Sequence, residues 1–171
     1  MKYVPEKKNK KPEALSIILF FSAFILIYAG NVAEDMQWIF QSGAVVLMAA
    51  FIYILVRFVF TDCMYEIKQK SMIVDVPLSQ FTRNELRLYI HKRQGKRGYA
   101  AEFMCDLSQI NDVKRVKNTR PISKKAKRYI YVRNFKPQNL YVLSVTLEKE
   151  DYEVFLEINE DGKDFIETLI K

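Results

Sequence analysis

Two uncharged blocks decide where most of this chain can go. Residues 14–33 and 36–56, runs of 20 and 21, contain no Asp, Glu, Lys or Arg, and only Glu34 and Asp35 separate them. An α-helix rises 1.5 Å per residue, so about 20 residues cross the roughly 30 Å apolar core of a bilayer. A chain built this way is not expected to be purely soluble. Lys7, Lys8, Lys10 and Lys11 precede the first block, as they would in a signal peptide. Signal cores, however, run to roughly 7–15 apolar residues, and here a second block follows at once.

The flanks set an expected orientation. Residues 1–13 hold five Lys against two Glu, the loop carries Glu34 and Asp35 with no cation, and Arg57 opens a basic region after the second block. Positive flanks favour the cytoplasm, so a two-pass hairpin over 14–60 in a cell membrane, with both termini cytoplasmic, is expected. Tyr28 and Trp38 fall where amphipathic rings anchor at the outer boundary, and Arg57 can snorkel to the inner headgroups. Ser22, Ala23, Ser42, Gly43, Ala44, Ala49 and Ala50 let helices approach closely and offer a face for a homo-oligomer. Neither block holds a carboxylate or histidine, the groups an intramembrane ion path uses, so a channel or transporter made by this chain alone is not supported.

From residue 61 the pattern changes to short alternating runs rich in Tyr, Val, Ile and Leu, the mark of half-buried strands. The candidate strands are MYEIKQ, SMIVDV, ELRLYIHK, GYAAEFMC, VKRVKN, RYIYVRNF, NLYVLSVTLE and YEVFLEI. QGKRG at 94–98 and KPQN at 136–139 read as hairpin turns, and 148–151 as another polar turn. In RYIYVRNF, Tyr129, Tyr131, Arg133 and Phe135 share one parity and Ile130, Val132 and Asn134 the other, so the two sets face opposite ways. In KDFIETLIK, Phe165, Ile166, Leu169 and Ile170 form a stripe at spacings of three and four, and Asp161 is the expected cap of a short terminal helix. Segments 77–84 and 118–127 read as loops or a short helix. The expected domain, 61–171, is an antiparallel sheet of about seven strands capped by one helix, with the sheet curled to reduce its exposed edges.

Three stretches, MYEIKQKSMIV, AEFMCDLSQINDVKRV and YVLSVTLEKEDYEVFLEINEDGKDFIETLIK, taken with the hairpin before them, resemble the bacterial PH-like domain family of small membrane proteins. In that resemblance DLSQI at 106–110 leads into the next strand, and 161–170 is the closing helix. It implies a membrane-anchored α+β chain: a two-helix transmembrane hairpin followed by a PH-like antiparallel sheet or partial barrel with a C-terminal helix. It also implies a scaffold that binds proteins, peptides or lipid headgroups, and no catalytic group. Fold likeness by itself does not choose the partner.

The formal net charge of +7 hides a division. Between Arg83 and Arg133 there are 15 Lys or Arg against four carboxylates, and from Asn134 onward four Lys against nine. The candidate contact residues are Lys92, Arg93, Lys96 and Arg97 around one hairpin, beside His91. A second set, Lys114, Arg115, Lys117, Arg120, Lys124, Lys125, Lys127 and Arg128, lies around a loop. These groups fit a solvated surface, apposition to anionic inner-leaflet lipid at around 1 kcal/mol per close cation, or a selective headgroup, peptide or protein site. Nucleic acid is disfavoured, because no zinc-finger spacing, KH-type glycine loop or RNA-recognition aromatic motif is present.

Chemistry has little foothold. There is no GxxxxGK[ST], GxGxxG or GxSxG motif. Cys63, Cys105 and His91 match no zinc spacing, and Cys105 reads as a small core residue. The acidic ending lacks the ligand spacing of an EF-hand. No cofactor or metal is expected. The expected role is a binding or regulatory scaffold rather than an enzyme, with a selective anionic-headgroup sensor as the first alternative and a membrane-associated enzyme with an unrecognised site as the second.

Overall fold

The computed structural model describes residues 1–7, 10–70 and 81–170. The expected strand SMIVDV and residues 77–80 lie outside the described residues. The chain divides into two compact units, Lys8–Thr61 and a second made of Met1–Lys7 together with Asp62–Lys171.

The first unit is helical. Helix α1 (Lys11–Val32) starts with Pro12 inside its first turn, where a missing N–H costs nothing. A 3-10 turn at Glu34–Met36 leads to α2 (Gln37–Ile54), which continues through a π turn, Leu55–Val59. The spans Lys11–Val32 and Gln37–Val59, 22 and 23 residues with mean hydropathy 2.2 and 2.3, are long and apolar enough to cross a membrane. Small residues do allow close approach of the pair: Ala23 and Ala44 are buried, and a Cβ on Gly43 would come within 3.2 Å of Leu26. Ser42 and Ala49 are exposed instead. At the end of the π turn the Phe60 N–H donates to the Leu55 carbonyl, and the Thr61 hydroxyl donates to the Val56 carbonyl at 2.6 Å.

The second unit holds two four-stranded sheets. The first runs β1 (Lys2–Tyr3), β2 (Thr61–Gln69), β3 (Leu86–Gln94), β4 (Ala100–Asp106). The second contains β5 (Ile110–Val116), β6 (Lys127–Tyr131), β7 (Leu140–Leu147) and β8 (Glu150–Glu157), in the order β5-β7-β8-β6. One face of each sheet contributes to a shared apolar core. Tyr65, Ile67, Leu88 and Ile90 come from the first, Leu143, Val154 and Leu156 from the second, and Phe165 and Leu169 from α3 (Lys163–Ile170). The coarse plan expected from sequence is present, as two sheets rather than one of about seven strands.

Four local expectations change. Residues 1–13 were expected as a basic tail, yet Lys2 and Tyr3 pair with Glu66 and Tyr65 as a sheet edge, and Tyr3 is buried against Tyr65 and Phe165. KPQN does not close a hairpin: β8 lies between β6 and β7, and β6 runs parallel to β8. The reason is that 132–139 steps across the end of β8, where the Ile158 N–H donates to the Asn139 carbonyl. RYIYVRNF leaves the sheet after Tyr131, although Tyr129 and Tyr131 do stack on one side while Ile130 packs on the other. Finally, Asp161 lies inside a 3-10 turn (Glu160–Gly162) and its carboxylate accepts the Tyr3 hydroxyl instead of capping α3.

Candidate functional site

The basic residues singled out in the sequence divide into those the fold uses and those it leaves bare. QGKRG forms the β3–β4 hairpin turn, with Gly95 at φ 63, a conformation that suits a residue without a Cβ. On its strands Lys92 pairs with Glu102 at 3.3 Å, His91 Nε2 lies 3.2 Å from Glu66, and Arg93 binds Asp62 while its guanidinium stacks over the Tyr99 ring. Lys96 and Arg97, at the turn, are exposed and have no ionic partner among the described residues.

The second group behaves alike. Lys114 pairs with Asp112, Arg115 with the Asn139 side chain, and Lys127 with Glu150 beneath the Tyr152 ring, while Arg128 donates to the Thr119 carbonyl at 3.1 Å. The side chains of Lys117, Arg120, Lys124 and Lys125 are exposed and form no ion pair among the described residues.

The two bare groups do not merge. Arg93, at the end of β3, shares Asp62 with Arg133, two residues beyond the end of β6, whereas Lys117–Lys125 precede the start of β6. Four rises of about 3.3 Å put roughly 13 Å between the first and last residues of β6. The cations therefore form two separate loops at opposite ends of that strand.

What the sequence reading missed is the part played by β8. Glu153 and Glu157 share a parity with Phe155, and this face of the sheet carries a second apolar cluster of Val132, Leu140, Val142 and Phe155. Both carboxylates are buried, at 3% and 1% exposure. Glu153 accepts the backbone N–H groups of Ile122 and Ser123, and Glu157 accepts the Asn134 N–H at 2.9 Å and its side-chain amide at 2.7 Å. A buried carboxylate needs such partners, since an unpaired one costs several kcal/mol of desolvation. The available signal was the period-two alternation in EDYEVFLE, which sets these acids beside a phenylalanine rather than in solvent.

Next to it, Arg133 and Asn134 gather several segments. Arg133 donates to the Pro5 carbonyl and pairs with Asp62 at 2.8 Å, and the Asn134 amide also donates to the Glu6 carbonyl at 2.8 Å. DLSQI is a capping box: the Asp106 side chain accepts from the backbone of Gln109, and the Gln109 side chain accepts the Asp106 N–H at 2.8 Å. Burial works against ionisation of Asp106, but Lys70 and Arg87, each at 2.7 Å, outweigh it and hold its carboxyl below the usual range. Glu66 follows the same balance, with Lys68 and Lys2 overcoming its burial.

Cys105 and His91 do not meet. Cys105 belongs to the core, where burial pushes its thiol up to about 12, while His91 lies beside Glu66, whose parity on β2 is opposite to that of the core residues Tyr65 and Ile67. Among the described residues no group of three or more His, Cys, Asp or Glu could hold a metal ion. Comparison with family models, with curated proteins and with solved structures finds no match to this chain.

Proposed function

We propose that this protein is a membrane-anchored accessory scaffold whose sheet unit engages an anionic partner, either a protein or peptide or the inner membrane surface. One observation carries the reading. Of twelve basic side chains concentrated between Lys92 and Arg128, six are absorbed by carboxylates, carbonyls or an amide, and the six on the two loops are left facing solvent. Cations clustered without internal partners raise the local potential and attract opposite charge over about a Debye length, ~10 Å at 0.1 M salt. The Lys-rich flanks and acidic inter-helix loop support a two-pass anchor with cytoplasmic termini. The helical pair followed by two sheets and a closing helix supports a PH-like assignment for the rest. No catalytic role is assigned: burial pushes the Cys105 thiol up to about 12, against the thiolate that nucleophilic chemistry needs.

A selective headgroup sensor is the second reading. A groove of about 250 Å³ between the end of β5 and α3 favours it, lined by Arg115, Tyr141, Lys163 and Asn159 among others. Asn159 is buried there with neither side-chain polar atom partnered.

A photo-crosslinking residue placed at Arg97, Arg120 or Lys163, in the full chain in its native membrane, separates these readings. Capture from the first two positions that disappears when Lys96, Lys117, Lys124 and Lys125 are changed to Gln supports the scaffold. Lipid captured only from the Lys163 position favours the sensor, and capture indifferent to all four changes overturns the electrostatic reading.

A further inference from the structure

We propose that the loop between β5 and β6, residues 117–126, is a preformed contact for an anionic membrane surface, with Ile122 entering the headgroup boundary and Lys117, Arg120, Lys124 and Lys125 taking lipid phosphates. This rests on the reading of the sheet unit as a scaffold for an anionic partner, and names the partner of one of its two loops.

The loop is held in shape by its own bonds. The Asn118 side chain accepts the Arg120 N–H at 3.0 Å, the Ser123 hydroxyl accepts the Lys125 N–H at 3.3 Å, and Arg128 reaches back to the Thr119 carbonyl. At its centre the buried carboxylate of Glu153 takes the N–H groups of Ile122 and Ser123. None of these bonds uses the charged groups of Lys117, Arg120, Lys124 or Lys125. A loop ordered before it meets its partner does not lose that conformational freedom on binding.

Ile122 is the second observation. Its backbone is tied inward, yet its side chain is 58% exposed. An apolar cluster lies on the same face of β8, built on Phe155 with Val116 and Ile130, and Ile122 is not part of it. A loop whose amide is anchored while its isoleucine points to water, flanked on both sides by unpaired cations, has the composition of an interfacial contact. The aliphatic tip gains by leaving water, and the cations gain from phosphate. Nucleic acid offers this side chain no apolar layer, and the loop has no aromatic ring for a base to stack on. The chain also carries two helices long and apolar enough to cross a membrane, so a lipid surface is one this protein meets.

The test uses the full chain in lipid discs of phosphatidylcholine alone or mixed with phosphatidylglycerol, with vesicles of the same composition added. A Cys replacing the exposed Pro121 carries a polarity-sensitive dye, and the native Cys63 and Cys105 are buried and do not compete for it. The expected result is a blue shift with the anionic mixture only. It is lost in Ile122→Ser, and in Lys124→Gln/Lys125→Gln the lipid affinity falls about thirtyfold. A shift that survives Ile122→Ser overturns insertion and leaves simple attraction. No shift with either lipid overturns the proposal. If the Arg120 position then crosslinks a protein in a cation-dependent way, the scaffold reading stands; if it captures nothing cation-dependent, both readings fall.

Discussion

Lys149 and Glu148 show how a single residue can be legible in kind and hidden in detail. Residues 148–151 read as a polar turn; the turn joining β7 to β8 is 148–149 alone, and Glu150 and Asp151 already belong to β8, opposite Leu147 and Thr146. Both turn residues have positive φ, 50 at Glu148 and 72 at Lys149, the geometry that a two-residue hairpin linking right-twisted strands demands. A side chain in that region costs roughly 1 kcal/mol or more, which glycine avoids. Lys149→Gly is therefore expected to raise stability by about 1 kcal/mol, read as a higher unfolding midpoint of the sheet unit. Gly162 is the converse case. A Cβ there would come within 2.5 Å of Ile158 and 2.8 Å of the Tyr3 ring, so glycine is needed for space rather than for its backbone angles. The sequence marks it only as a turn residue, because the ring that crowds it arrives from about 160 positions away.

At the level of elements, hydrophobic period located seven of the eight strands and the closing helix, since each buries an alternating or helical stripe. Pairing was another matter. β6 and β7 are consecutive and joined by a turn-like KPQN, the signature of a hairpin, yet β8 separates them. The connection is fastened by Asn134, whose amide joins the Glu157 carboxylate to the Glu6 carbonyl. Asn134→Ala strips the buried carboxylate of a side-chain donor and leaves that carbonyl without this bond, a loss of about 1.5–3 kcal/mol for a hydrogen bond to a charged group. Amide exchange should show the effect first at residues 4–6 and 132–139, before the β3–β4 hairpin. Uniform loss across the sheets would mean that Asn134 supports the whole core rather than this connection.

Over the whole molecule, charge and burial combine into a defined pH range. Asp106 and Glu66 are held below their ordinary values in the fold. Their contribution is complete above the unfolded values, about 3.9 and 4.3, and is lost as pH falls through the lower folded ones. Burial raises Tyr3 and Cys105, each to about 12, and raises Tyr65 as well. Those contributions are complete below the unfolded values, about 10 for Tyr and 8.5 for Cys, and are lost as pH rises toward the folded ones. Thermal unfolding followed by tyrosine near-UV signals should therefore show a stability plateau from about pH 5 to 8, with decline below about pH 4 and above about pH 9. In Tyr3→Phe the alkaline decline should be shallower, and an unchanged alkaline limb would show that the Tyr3 phenol is not its source.

The sequence by itself determined the properties that depend on neighbours along the chain: two apolar spans of bilayer length, the strand and helix periods, and the position of the basic loops. Tertiary structure decided which of those elements touch. It placed Tyr3 in the core beside Phe165, set β6 parallel to β8, and buried Glu153 and Glu157 as anchors for the segments on either side of β6. It also separated the cations that hold the fold from those that face outward. The reason is that a charge's role depends on the group of opposite polarity within about 3 Å of it, and for Arg93 with the Asp62 carboxylate, Arg133 with the Pro5 carbonyl and Glu153 with the Ile122 and Ser123 N–H groups that partner lies 30 or more residues away.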